Sequence, residues 1–303
     1  MIQCSKRVIV DAINTNSYNC DMSEPIDRLS ALFERFRVRA SLFHSGKLCD
    51  LVRFDAEPGR GFLHVLRAGE LELSHPGERG RVRVNEPSLI FYPRAKAHVF
   101  HEAPAEGLDL VCATIAFAGG DTHPVARALP PCVVLPLRYV PDLSATLALL
   151  FAESEPGRCG QRLLLDRLFE VLLLQLLRHL LNHPDEAGLP PGMLAGLSEP
   201  RLARVLTALH EAPEQAWSLA RMAAMAGMSR TAFINTFRDH LAQTPVDYLA
   251  ALRVQLAQQR LLAGEPVKRI ADDLGYSSAS AFTRAFTSTT GHAPRHWLQQ
   301  QRA

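Results

Sequence analysis

Leu219-Ala-Arg-Met-Ala-Ala-Met-Ala-Gly-Met-Ser229 and Val267-Lys-Arg-Ile-Ala-Asp-Asp-Leu-Gly-Tyr-Ser277 are two copies of one pattern, 48 residues apart. Past the turn the offset becomes 49, so that Phe233 and Phe237 answer Phe282 and Phe286, Pro245 answers Pro294, and Tyr248 answers Trp297. Self-similarity at a fixed offset marks one structural unit used twice. In each copy a small residue (Ala223, Ala271) stands where a second backbone must approach closely. A glycine (Gly227, Gly275) follows where the helix has to close in the left-handed conformation. Serine then caps a second helix, either Ser229 or one of Ser277 and Ser278, and two phenylalanines four residues apart bury one of its faces. This is the chemistry of a helix-turn-helix.

The opposite face of the second helix is left free for the major groove of DNA. In the first copy it reads Arg230, Thr231, Ile234, Asn235 and Arg238; in the second it reads Ala279, Ser280, Thr283, Arg284 and Thr287. Asn and Arg can contact adenine and guanine edges through two hydrogen bonds, while Ser and Thr serve bases or phosphates. Any one of these residues can also be read as solvated surface, but the duplication weighs against that reading for the motif as a whole. Between the copies, Val246 to Leu262 is expected to form a single helix, stopped by Ala263-Gly-Glu-Pro266. At 1.5 Å per residue it spans about 25 Å. Such a spacer suits two recognition helices set about one DNA turn, roughly 34 Å, apart. Charge points the same way, weakly: from Ser198 onward there are 12 Lys and Arg against 8 Asp and Glu, and before it 21 against 23. The C-terminal part is thus the more suited to a polyanion.

The run Gly227-Met-Ser229 with Phe233 and Phe237, Thr244-Pro245 with Tyr248-Leu249, Arg253, Ala257 and Leu261-Leu262, then Ile270-Ala271 with Gly275-Tyr276-Ser277, Phe282, Phe286, Gly291 and Pro294, resembles the AraC/XylS family of bacterial transcriptional regulators. The resemblance covers about a hundred residues. It implies a seven-helix domain that binds double-stranded promoter DNA, most often activating through contact with RNA polymerase and in some members repressing. By position it places Thr231, Ile234 and Asn235, with Ala279, Ser280, Thr283 and Arg284, where the family reads bases. Ile234 and Ala279 offer only apolar contact there, suited to thymine methyl groups.

The rest of the chain has a different texture. Residues 25 to 37 carry Ile26, Leu29, Leu32, Phe33 and Phe36 at helical spacing, which predicts an amphipathic opening helix. From Ser41 to Phe117 short runs separated by turns predict the strands Phe62–Arg67, Leu71–Ser74, Arg81–Val84 and Leu89–Tyr92 of a small antiparallel barrel. Helical pattern returns in Val140–Ser154 and Gln161–Asn182. The second of these is apolar nearly all round and so needs cover on more than one face, from the barrel or from a second subunit.

Phe62-Leu-His64 through Gly69 and Leu73, with Asn85-Glu-Pro through Leu89, Pro93 and His98, resembles the cupin-type sensor domain of one branch of the same family. That resemblance implies a barrel that binds a small molecule or mediates dimerisation. Cupin enzymes hold a metal with a mixed cage of histidines and a glutamate. If Gly69 is the glycine of the first cupin motif, those places fall near Ala56, Pro58 and Phe62, where the ligands are missing. A different alignment gathers His64, Glu70 and His98 but leaves Leu66 in place of the second histidine, so the expectation is no metal and no cofactor. Phe62, His64, Tyr92, His98 and Phe100 are candidates to line an effector pocket, since such cavities are mostly apolar with a few polar groups. A filled barrel acting only as a dimerisation scaffold is the equal alternative.

The expected architecture is α+β: residues 1–21 a tail or upstream extension, with the natural start at Met22; 22–183 a cupin-like barrel with flanking helices; 184–197 a Pro- and Gly-rich linker; 198–303 the double helix-turn-helix. Six scattered cysteines without a Cys-x-x-Cys pair fit reduced thiols and a cytoplasmic protein. Charges interrupt the apolar run Leu163–Leu181, against a membrane span. Nothing resembles a nucleophile elbow or phosphate loop, so the chain is read as a regulator and not an enzyme, dimerising through its N-terminal domain and helix 161–182. A metal-dependent cupin enzyme fused to a DNA-binding domain, and an effector-free regulator controlled by a protein partner, are the competing readings.

Overall fold

The computed structural model describes residues 26–48, 50–101, 107–155, 157–184 and 188–302; the expected tail lies outside them. Among the described residues the N-terminal domain begins with helix α1 (Ser30–Arg35) and builds nine strands: β1 (Val38–Leu48), β2 (Val52–Phe54), β3 (Arg60–Ala68), β4 (Leu71–Ser74), β5 (Val82–Val84), β6 (Ser88–Tyr92), β7 (His98–Phe100), β8 (Leu108–Phe117) and β9 (Val133–Pro136). Short helix α2 (Pro124–Ala128) precedes β9, and α3 (Ser144–Ser154) and α4 (Gln161–Asn182) follow it. The strands form two antiparallel sheets, ordered β1-β8-β3-β6-β9 and β2-β7-β4-β5. Alternation along β3 sorts its side chains: Phe62, His64 and Leu66 face the second sheet, and Leu63 and Val65 face the helices. Both faces are covered, so the burial is nearly continuous from Gly61 to Leu66.

The opening helix is shorter than its apolar spacing predicts. The Asp27 carboxylate accepts from the backbone N–H of Leu29 and Ser30 and from the Ser30 hydroxyl, which satisfies the backbone locally and delays the helix to Ser30. Helix α4 keeps its expected bounds. Its charged interruptions have a purpose in the fold: Asp166 accepts from Leu42 N–H at 2.7 Å and Glu170 from Ala40 N–H at 3.3 Å, so α4 covers the unpaired edge of β1. No helix among the described residues is long and apolar enough to cross a membrane.

The C-terminal region is helical throughout: α5 (Met193–Ser198), α6 (Pro200–Glu211), α7 (Leu219–Met225), α8 (Arg230–Leu241), α9 (Pro245–Leu262), α10 (Val267–Asp273), α11 (Ala279–Thr290) and α12 (Pro294–Arg302). The helices from α6 to α12 are the expected seven. The stretch 184–197, read as a linker from its prolines and glycines, instead carries α5, whose Met193, Leu194 and Leu197 are buried. Gly196 lies where any side chain would press on Leu241 and Leu206, and Gly192 N–H donates to His240 O at 2.7 Å. Arg28 donates to Leu197 O at 3.2 Å and Arg35 to Glu211 O at 2.6 Å. One apolar core therefore runs from Phe36 through α4 and α5 into the helix-turn-helix region.

Candidate nucleic-acid interface

Each recognition helix is built by the devices its sequence announces. In the first unit, Ser218 caps α7 by accepting from Arg221 N–H at 3.2 Å, and Gly227 closes the helix at φ +64°. Ser229 accepts from Ala232 N–H at 3.2 Å and starts α8. Phe233 and Phe237 are fully buried, with ring centroids 5.6 Å apart, and Tyr248 meets Phe237 edge-on. In the second unit Gly275 closes α10 at φ +74°, and of the two candidate serines it is Ser278 that caps α11, accepting from Ala281 N–H at 3.1 Å. Phe282 and Phe286 repeat the 5.6 Å pair, with Trp297 edge-on to Phe286 where the first unit has Tyr248.

With the phenylalanines inward, the opposite faces are left to solvent. Arg230, Thr231, Asn235 and Arg238 are exposed on α8, with Ile234 half-buried; Ser280, Arg284 and Thr287 are exposed on α11. Among the described residues no carboxylate holds Arg230, Arg238 or Arg284 in an ion pair. These guanidinium groups face water and remain available to an anion or a base edge. Two positions differ from the simple picture. Ala279 packs partly on the core, and the Thr283 hydroxyl donates to Ala279 O at 2.8 Å, leaving it only acceptor capacity toward a partner.

The barrel brings Phe62, His64, Tyr92, His98 and Phe100 together. His98 Nδ1 donates to Lys96 O at 3.0 Å, so its Nε2 carries a lone pair and accepts from His64 Nε2–H at 3.1 Å. His64 Nδ1 is then a buried acceptor without a partner. Burial pushes His98 down to about 4 and His64 well below the ordinary histidine range, so both rings are neutral at pH 7. His98 is sandwiched between Tyr92 and Phe54, at 4.0 and 4.6 Å, and Phe62 stacks on His64 at 5.8 Å. The five candidate residues fill the interior with their own rings. Phe54 joins them from β2, where it pairs with His98, and His75, just past β4, reaches the Tyr92 hydroxyl at 3.2 Å; neither contact is between sequence neighbours, so neither leaves a local signal.

A small barrel continued by two helix-turn-helix units with open recognition faces defines a DNA-binding regulator with an appended second domain. The chain belongs to the AraC-like transcription regulators. A family model described as Cupin matches residues 27–182, and one described as Helix-turn-helix domain matches 222–300. An AraC-like transcription regulator of Streptomyces antibioticus is 30% identical over 207 residues, covering 67% of this chain and 67% of that protein. A second, from Streptomyces lividans, is 28% identical over 295 residues, covering 88% and 95%. Among solved structures, an AraC-type regulator from Chromobacterium violaceum is 26% identical, covers 35% of this chain and 95% of that one, and superposes with a TM-score of 0.32.

Proposed function

We propose that the protein reads a two-part promoter site, with α8 and α11 in successive major-groove segments of double-stranded DNA. The observation that carries this reading is the duplicated, serine-capped helix whose outer face exposes Asn235 and Arg238 in one copy and Arg284 in the other. Asn235, Arg230, Arg238 and Arg284 supply the paired hydrogen bonds to bases or phosphates; Thr231, Ser280, Thr283 and Thr287 supply single ones. Ile234 and Ala279 meet thymine methyl groups. The regulator acts in the cytoplasm, without catalysis, and most simply as an activator that contacts RNA polymerase.

The N-terminal domain dimerises the protein. Leu163, Leu164, Val171 and Leu174 of α4 and Leu149 of α3 are exposed, an apolar surface that its own barrel does not cover and that a second copy can. The filled barrel interior favours this scaffold role over an effector pocket at His64 and His98. Two cavities of about 270 and 260 Å³ lie between the domains and share Pro124 and Gln255. They are the better places for a small effector, just under the usual range for such sites. The test is selection of bound sequences from random DNA by the full-length protein, with its mass in solution measured alongside. Recovery of a two-part motif by a dimer is expected; absence of any sequence preference contradicts the reading.

A further inference from the structure

The two units are joined by α9 through short turns, and a helix held only at its ends would let each unit swing. The structure adds a cross-brace. The loop between α6 and α7, residues 212–218, belongs to the first unit but lies against the turn of the second. Gly275 is the point of contact: a Cβ there would overlap the carbonyl oxygen of Glu214. From the middle of α9, Arg253 donates through Nε to Pro213 O at 2.7 Å and through Nη2 to Gln215 O at 2.9 Å, and its guanidinium lies 5.5 Å from the centre of the Tyr276 ring. One side chain thus holds the loop of the first unit and the turn of the second. The loop is itself stiffened. Trp217 Nε1 donates to Ala212 O at 2.9 Å, and Arg221 lies over the Trp217 ring at 4.1 Å while donating to Gln215 Oε1 at 2.7 Å.

We propose that Arg253 and Gly275 are positioning residues that lock the two recognition helices at one separation and angle, so that the spacing between the two halves of the DNA site becomes a determinant of specificity. This rests on the two-part reading of the site above. Arg253 needs no contact with DNA for this role. One added base pair moves a half-site by about 3.4 Å and turns it by roughly 35°. A braced pair of helices then loses one half-site, whereas a hinged pair follows it. The brace also raises the effective concentration of the second helix once the first has bound.

The experiment uses the full chain and the DNA site it selects. Affinity is measured on that site, on versions with one base pair inserted or removed between the halves, and on each half alone. Wild-type protein is expected to discriminate against altered spacing by about tenfold or more, an effect of the order expected from losing one linked contact. In Arg253→Met, which keeps the stem and removes the donors, binding to each half should stay within about twofold. Binding to the selected site should fall about tenfold and the spacing preference should shrink to roughly threefold or less. Arg253→Lys, which keeps the charge and one donor, should lie between the two, and it replaces the methionine variant if thermal unfolding shows that variant does not fold. Unchanged spacing preference in these variants overturns the proposal, and so does a loss on single halves as large as the loss on the whole site. A selected site with only one half overturns the two-part reading itself, before any variant is made.

Discussion

The two helix-turn-helix units end their first helices at equivalent glycines, and the two glycines meet different demands. Gly227 takes φ +64° with nothing within 4 Å of where a side chain would start. Gly275 takes φ +74° and is also pressed against the backbone at Glu214. The same letter therefore encodes a local requirement in one copy and a local plus a tertiary requirement in the other. The copies differ at their other ends as well. Helix α8 stops with Ala242 in the left-handed region at φ 56°, where α11 uses Gly291 at φ 78°. Tyr248 of the first unit is buried with its hydroxyl 2.7 Å from His210, while its second-unit counterpart, Trp297, is half-buried on Phe286. A duplicated motif preserves the cap, the closing residue and the apolar pair; the surroundings then load each copy differently.

The largest expected break in this comparison is at the glycines. Gly275→Ala combines a left-handed alanine with a collision against backbone and should cost about 2–5 kcal/mol, whereas Gly227→Ala should cost only about 1–2 kcal/mol. Denaturant unfolding of the two variants measures the difference; equal losses would remove the tertiary role of Gly275.

Acid should act on the first unit more than the second. Burial pushes His210 down to about 4. Between that value and the ordinary 6.5, the unfolded chain binds a proton that the folded chain refuses. Its contribution is therefore fully present above about pH 6.5 and declines as pH falls toward 4, by on the order of 3 kcal/mol. His98 and His123, each also near 4, give the barrel the same sign. Hydrogen exchange at pH 7 and pH 5 should show α6 and the N-terminal half of α9 loosening before α11. Loss of protection first in α11 would reverse the assignment.

Smaller effects test the helix ends. Ala242→Gly should stabilise by about 1 kcal/mol and Gly291→Ala should destabilise by a similar amount, because the same left-handed position is filled by opposite residue types. A shift of thermal midpoint in the same direction for both would show that the neighbours, not the backbone, decide. Ser229→Ala and Ser278→Ala should each cost about 1 kcal/mol, since both oxygens accept from the third residue of their helix. Here the two copies are expected to agree.

What could be read from the sequence was whatever is local. Serine, glycine and the four-residue phenylalanine pairs report on their own helix, and the whole double unit followed from them. Helix α4 followed too, because an apolar run of its length leaves no other choice. The opening helix and the stretch 184–197 differ from expectation for a common reason: proline, glycine and aspartate mark breaks, but Asp27 also satisfies backbone groups and Met193-Leu194 is apolar enough to bury a turn of helix there. The contact of Gly275 with Glu214, 61 residues away, leaves no periodic trace. In the barrel, His64 and His98 were legible as pocket candidates, but only the fold shows that Phe54 and Tyr92 stack on the two faces of His98 and fill the space.

The central claim is that the outer faces of α8 and α11 read DNA. The direct measurement is the binding of Asn235→Ala, Arg238→Ala and Arg284→Ala to the selected site and to that site with each base pair changed in turn. Arg284→Ala is expected to weaken binding by about 1–3 kcal/mol and to abolish preference at one position in the half contacted by α11, while Asn235→Ala does the same in the other half. Unchanged affinity and unchanged base preference in all three variants would contradict the account, and would make these faces solvated surface.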